Sequence, residues 1–235
     1  MIINSFFSPP EEGGDWSPAD LSNLFAWYRG DTYVETSGKI SQWTDKSGNL
    51  RHLVQADTDY RPLLGATSGP NSTPAIDVTD GVSYLYCDAT EFDGPLDLPF
   101  TIISVHQTAA TFVNVLFDEN ENDPPVFNAG FYTSFFIGDG STNLSYGNNF
   151  TSWHYHEWCV DDSTPVIRLD GSIQSYSGSI DDTLQMNTIR VGEVRPGVGS
   201  YGLDGYIAEM IFIDGVLSSG ERTSLESYLA TRYGL

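Results

Sequence analysis

Side chains able to do chemistry are scattered along this chain rather than gathered into one motif. His154-Tyr155-His156-Glu157 is the one clustering of histidines. In a strand, His154 and His156 would point to the same face, as two ligands of a metal should, yet no third ligand is evident. A strand edge carrying aromatic and polar residues is the plainer reading. The densest acidic run is Asp118-Glu119-Asn120-Glu121-Asn122-Asp123. Its Asp118, Glu119, Glu121 and Asp123 could supply oxygen ligands, and calcium is the cofactor such a loop would take. It lacks the EF-hand spacing, so a solvated connecting loop competes with the metal site. Gly197-Val198-Gly199-Ser200-Tyr201-Gly202 spells Gly-x-Gly-x-x-Gly after the run Ile189 to Val194. No helix follows it, so the helix N-terminus that would hold a pyrophosphate is missing. Neither Gly-x-Ser-x-Gly nor a Walker A motif occurs.

Aromatic rings are the remaining candidates. The chain has 5 Trp and 13 Tyr, and rings on a concave β surface are what stack on sugar faces. Trp43, Tyr146, Trp153 and Tyr155 fall in or beside expected loops and strand ends, which makes them the glycan-contact candidates. Most of the other aromatics belong to the core.

Charge narrows the partners. With 32 acids against 10 bases the net charge is -22 over 235 residues. Such a surface repels phosphate backbones and anionic headgroups, so nucleic-acid partners are excluded. No window approaches the apolar length of a spanning helix, so membrane insertion is not expected either. Met1 to Phe7 lacks the basic start and apolar length of a signal peptide. Cys87 and Cys159 could form at most one bridge, and both read as buried free thiols in strands. Three Asn-x-Ser/Thr sequons, at Asn71, Asn143 and Asn149, read as accidents of composition.

The elements that would position these residues are short strands. Met1 to Asp20 joins an apolar tip, with Ile2, Ile3, Phe6 and Phe7, to a Pro/Gly/acid stretch that cannot form a helix or central strand. It reads as an arm that docks on another chain or packs along its own domain, and residues 21–235 read as one domain. Leu21 to Arg29 reads as a helical turn running into a strand, with Ser17 or Asp20 as its cap. Apolar or alternating runs follow at Ile40 to Trp43, Pro74 to Val78, Tyr84 to Cys87, Phe100 to Gln107, Thr111 to Phe117, Gly130 to Ile137, Trp153 to Val160, Val166 to Leu169, Ser172 to Tyr176 and Thr188 to Val194. Asp170-Gly171 between two of them is a two-residue hairpin signal. Tyr206 to Ile213 is a strand on period 2, with Ala208, Met210 and Phe212 on one face and Ile207, Glu209, Ile211 and Ile213 on the other. Ser218 with Glu221 forms a capping box, Leu225, Tyr228, Leu229 and Tyr233 recur at helical spacing, and Gly234 supplies the stop. Many short strands with almost no helix indicate an all-β sandwich or jelly roll.

At this level of detail the chain resembles a known group. The segments beginning Ala26-Trp27-Tyr28-Arg29-Gly30, Gly38-Lys39-Ile40-Ser41-Gln42-Trp43, Pro74-Ala75-Ile76-Asp77 and Pro99-Phe100-Thr101-Ile102, then Val166 to Gln174, Ile189 to Arg195 and Gly205 to Leu235, look like the LamG-like branch of the concanavalin A-like lectin/glucanase superfamily. The final strand followed by Leu217-Ser218-Ser219-Gly220-Glu221-Arg222 is the most specific part. The resemblance implies a jelly roll of two antiparallel sheets with a short C-terminal helix. Glycan recognition, protein interaction and catalysis all occur in that group, so fold does not settle function.

The resemblance also defines what an enzyme would need. A retaining glycosidase uses two carboxylates about 5 Å apart, and the group's glucanases carry Glu-x-Asp-x-x-Glu. Glu91-Phe92-Asp93-Gly94-Pro95-Leu96 lacks the last acid and is interrupted by Gly-Pro. Jelly-roll alginate lyases pair a Gln-x-His with other motifs, and Val105-His106-Gln107 has the wrong order. The sequence therefore reads as non-catalytic. The expected role is a virion surface protein, such as a bacteriophage decoration, head-fibre or tail-associated protein. Its arm would bind a capsid or tail protein, its lectin-like body would face outward toward glycans, and it could be a homo-oligomer on a symmetric shell. A polysaccharide-degrading glycosidase or lyase and a bacterial adhesion module are the alternatives.

Overall fold

Among the described residues, antiparallel strands build both layers: some, such as Leu85–Cys87, alternate between buried and half-buried side chains, and others, such as Phe100–Thr108, are buried along nearly their whole length. The computed structural model describes residues 16–87, 92, 94–108, 114–118, 128–131, 135–138, 143–146, 151–161, 165–178, 185–192 and 202–235. A 3-10 turn at Pro18–Asp20, capped by Ser17, leads into β1 (Leu24–Thr36) and β2 (Lys39–Asp45). Then come β3 (Leu53–Val54), β4 (Leu63–Gly65), β5 (Ala75–Asp77), β6 (Leu85–Cys87), β7 (Leu96–Asp97) and β8 (Phe100–Thr108). The middle of the chain supplies β9 (Asn114–Asp118), β10 (Asn128–Phe131), β11 (Phe135–Gly138), β12 (Asn143–Tyr146) and β13 (His154–Val160). The chain closes with β14 (Val166–Leu169), β15 (Ser172–Ile173), β16 (Gln185–Met186), β17 (Ile189–Val191), β18 (Gly205–Asp214) and α1 (Ser219–Tyr233).

The strands form the expected jelly-roll sandwich. One layer runs β12-β11-β10-β9-β17-β6-β3-β2 and the other β18-β8-β13-β14-β15, while β7 and β16 pair as a separate ribbon. Strand β1 links the layers: Leu24–Arg29 lies along β18 and Tyr33–Thr36 along β2. Tyr28 pairs with both Met210 and Asp45, and the register breaks between Tyr28 and Tyr33. Such a break re-aims a strand, as bulges do. Ile40, Trp43, Leu53, Leu85, Cys87, Ile189 and Val191 of the first layer meet Phe100, Ile102, Trp158, Met210 and Phe212 of the second in one core.

A second core lies on the far side of the β18 layer, under α1. There Ile103, Val105, Ala208, Ile211 and Ile213 pack on Leu225, Tyr228, Leu229 and Tyr233. The helix starts and stops where the sequence marks it. Ser218 Oγ accepts from Glu221 N at 3.3 Å, Glu221 Oε2 accepts from Ser218 N at 2.9 Å, and Gly234 ends the helix at φ 71°. Each fully buried leucine contributes about 1.5–3 kcal/mol, which is why a short helix holds to the sheet.

Some expectations needed correction. In β18 a register shift between Ile207 and Glu209 interrupts strict alternation. Ile207 therefore joins Met210 and Phe212 in the interlayer core, and Ala208 turns toward α1. The 3-10 turn near the start precedes Leu21, because Pro18 fixes φ for a first helical position and Leu21 is already extended. Asp170 and Gly171, at φ 47° and 75°, make the two-residue hairpin between β14 and β15. Both cysteines are buried and neither is in a disulfide.

Candidate functional site

Each layer of a sandwich spends one face on the core, so recognition has to use an outer face or a rim. On the β18 layer, α1 closes much of the outer face. Three polar clusters on that layer hold it together. Glu209 is fully buried, and its carboxylate accepts from Trp27 Nε1 (2.5 Å), Tyr228 Oη (2.8 Å) and Tyr233 Oη (2.6 Å). Burial raises its pKa, and the three donors with Arg232 oppose that rise. Beside it Asp31 bridges Arg29 (2.6 Å) and Arg232 (3.2 Å). Burial works against the charge of Asp31, but the two guanidiniums hold its pKa below the ordinary value. Glu157 joins Arg168 (3.1 Å) to Arg222 (2.9 Å), tying β13 and β14 to α1. With Glu209 and Glu157 at 1% and 2% exposure, these carboxylates clamp the helix and are closed to a substrate.

The histidines divide between two environments. His156 lies in the core, stacked between His106 (4.8 Å, 13°) and Trp158 (5.3 Å, 7°). Burial drives the His106 pKa down to about 3 and that of His156 well below its ordinary value. At neutral pH both are uncharged rings. His154 instead holds Asp170 at 2.7 Å near the surface. Among the described residues no group of three His, Cys, Asp or Glu converges as a metal site.

The outer face of the other layer differs. In β6, Leu85 and Cys87 point into the core, so Tyr84 and Tyr86 emerge on the opposite face. Tyr60, on the 3-10 turn Thr58–Tyr60, comes alongside and its carbonyl accepts from Tyr84 N at 3.0 Å. The rings form a ladder: Tyr60 to Tyr84 is 5.7 Å at 38°, and Tyr84 to Tyr86 is 6.1 Å at 40°. Beneath it Arg190 of β17 places its guanidinium 4.0 Å from the Tyr84 ring centre and is itself only 4% exposed. A cation held against a ring is worth about 0.5–2 kcal/mol and fixes the ring's plane. Tyr60 is 42% exposed and Tyr84 and Tyr86 are half-buried, so the ladder reaches solvent. Pairing register runs Val34, Gln42, Val54, Tyr86 and Arg190 in one row across the layer. Directly paired residues share a face. Partly exposed ring faces with Gln42 in the same row suit stacking on a sugar and hydrogen bonds to its hydroxyls.

The residues singled out in sequence fare unequally. Trp43 is fully buried and donates Nε1 to Arg29 O at 2.7 Å, so its ring packs the core and cannot meet a ligand. Tyr155 is 5% exposed under the helix, for the same reason closed to a sugar. Trp153 is half-buried against Tyr206, 6.4 Å away. Tyr146 ends β12, and Asp118 ends β9 at a position paired with Arg190. Glu119, Glu121 and Asp123, like Ile2, Ile3, Phe6 and Phe7 of the arm, lie outside the described residues. Sequence reasoning missed Tyr60, Tyr84, Tyr86 and Arg190. The alternation Tyr84-Leu85-Tyr86-Cys87 carried a signal for two of them.

No family model matches the chain, and no curated protein matches it. Among solved structures, it is similar to a GH54 α-L-arabinofuranosidase soaked with a cyclic sulfate inhibitor (15% identity, TM-score 0.59, 92% of this chain and 60% of that one). It is also similar to domain 4 of AbnA, a GH43 extracellular arabinanase from Geobacillus stearothermophilus, in complex with arabinotriose (11% identity, TM-score 0.56, 87% of this chain and 98% of that one). A third is the binding domain of botulinum neurotoxin DC in complex with rat synaptotagmin II (10% identity, TM-score 0.55, 88% and 52%). The chain thus spans 60% of the arabinofuranosidase and nearly all of the arabinanase domain. At such identities the likeness shows the fold. It also corrects the expectation that the chain is not an enzyme: arabinofuranosidases share this fold over 92% of its length. A missing glucanase motif is therefore no ground for setting catalysis aside.

Proposed function

We propose that this chain is a carbohydrate-binding β-sandwich domain whose ligand stacks on Tyr60, Tyr84 and Tyr86. The observation that carries the reading is the contrast between the two outer faces. Leu225, Leu229 and their neighbours of α1 close one, and an arginine-backed ladder of partly exposed tyrosines occupies the other. Of the similar structures, one is a domain bound to arabinotriose and one is an arabinofuranosidase, which supports a glycan as the ligand class. The virion location, and attachment to a capsid or tail protein through the arm, find no counterpart in those structures and stay outside the proposal.

A glycan array probed with the wild type, Tyr84→Ala and Trp153→Ala tests it, with release of arabinose from arabinofuranosides measured in parallel on the same samples. The expected result is glycan binding that Tyr84→Ala abolishes and Trp153→Ala leaves intact. No binding to any glycan, or binding that survives loss of Tyr84, overturns the site.

A further inference from the structure

We propose that the ligand of the tyrosine ladder is a single, twisted, uncharged polysaccharide chain, and neither an acidic polymer nor a crystalline surface. This rests on the glycan reading above and specifies its chemistry. Stacking requires a ring plane parallel to the sugar face it covers. A crystalline polysaccharide presents its sugars in one plane, so it needs coplanar rings. Here neighbouring rings are inclined by 38° and 40°, so Tyr60, Tyr84 and Tyr86 cannot all lie flat on one surface. Successive sugars of one chain that turn along its length can follow that inclination. Tyr84 and Tyr86 are alternate residues flanking Leu85, so the chain would run along β6 and leave the sheet over Tyr60.

Charge around the ladder selects against anions. Asp57, Asp59 and Asp80 are exposed about the Tyr60 and Ser83 turns. Asp80 accepts from Val82 N and Ser83 N, and Asp57 from Asp59 N, which holds these carboxylates at fixed positions. The two cations beside them keep their charge and offset part of this, but their donors are turned to backbone carbonyls. Lys39 Nζ donates to Thr58 O at 2.9 Å, and Arg61 donates to Gln55 O at 2.7 Å and Ala56 O at 2.9 Å. Arg190 lies buried under Tyr84. A uronate or sulfate on the ligand would meet carboxylates at the rim and a net charge of -22 beyond. Hydroxyls alone meet neither cost, and Gln42 and Thr44 lie on the same face of the layer to hydrogen-bond them.

The test is binding by wild type and Tyr84→Ala to soluble neutral polysaccharides (arabinan, xylan and mixed-linkage β-glucan), to polygalacturonate and alginate, and to microcrystalline cellulose. Affinity electrophoresis serves the soluble polymers and pull-down the solid. A neutral soluble chain should bind, lose about tenfold or more in affinity with Tyr84→Ala, and keep its affinity between about 0.02 and 0.5 M salt, where screening would expose any ionic contribution. Tyr84-dependent binding to an acidic polymer or to cellulose, with none to the neutral chains, overturns this inference and leaves the ladder as the site. Binding indifferent to Tyr84, or none at all, overturns the site itself.

Discussion

Replacing Glu209 is the sharpest probe of how the sheet and helix are held together. The carboxylate is buried and receives three hydrogen bonds, from Trp27, Tyr228 and Tyr233. Glu209→Ala strips the acceptor from all of them. The tyrosine hydroxyls can turn to other partners, but the indole N–H of Trp27 can only donate. At about 1–3 kcal/mol for the buried indole donor left unsatisfied, with the cavity left by the truncated side chain in addition, the loss should reach about 2 kcal/mol or more. Glu209→Gln keeps a carbonyl acceptor, so it should cost less than half of that. The two variants also separate on pH. Burial raises the Glu209 pKa in the folded state above its ordinary 4.5. A raised carboxyl pKa means that its contribution to stability is complete below the unfolded value and is lost as pH rises through the folded one. Wild type should therefore lose part of its advantage over Glu209→Gln as pH climbs above the ordinary carboxyl value and through the raised one. Guanidinium denaturation followed by tryptophan fluorescence over a pH series reads both effects. An alanine variant within about 1 kcal/mol of wild type, or a wild-type to glutamine gap independent of pH, would refute the reasoning.

Two further substitutions test the same architecture. Leu229 is fully buried beneath the helix, and Leu229→Asp places a carboxylate there; loss of the cooperative thermal transition or aggregation is expected, whereas a wild-type melting curve would make α1 an appendage. Ser218→Ala removes the cap at Glu221 N and should cost about 1 kcal/mol by chemical denaturation; no measurable change would mean that tertiary packing alone sets the helix start.

Local signals were legible in the sequence and long-range ones were not. Ser218, Glu221 and Gly234 marked both ends of α1 because capping depends on residues within a turn of each other. Asp170-Gly171 marked its hairpin for the same reason. The bulge at Ala208 escaped because it is set by pairing with β8, far away in the chain. Trp43 and Tyr155 looked like glycan contacts because an aromatic in a short strand carries no sign of which face it takes. The tyrosine ladder was hidden for a related reason. Tyr84 and Tyr86 sit two apart, but Tyr60 arrives from a separate turn and Arg190 from β17, so only the assembled layer brings them together. The absence of the glucanase carboxylate motif and of the lyase Gln-x-His set is too narrow a criterion for excluding catalysis, because arabinofuranosidases share the fold.

The central claim is that the ligand lies on the outer face that α1 leaves open. A crystal structure with a soluble neutral oligosaccharide chosen from the array tests it most directly. Sugar rings stacked over Tyr60, Tyr84 and Tyr86 are predicted; sugar seated instead on Trp153 and Tyr206, or anywhere on the α1 side of the sandwich, would contradict the account.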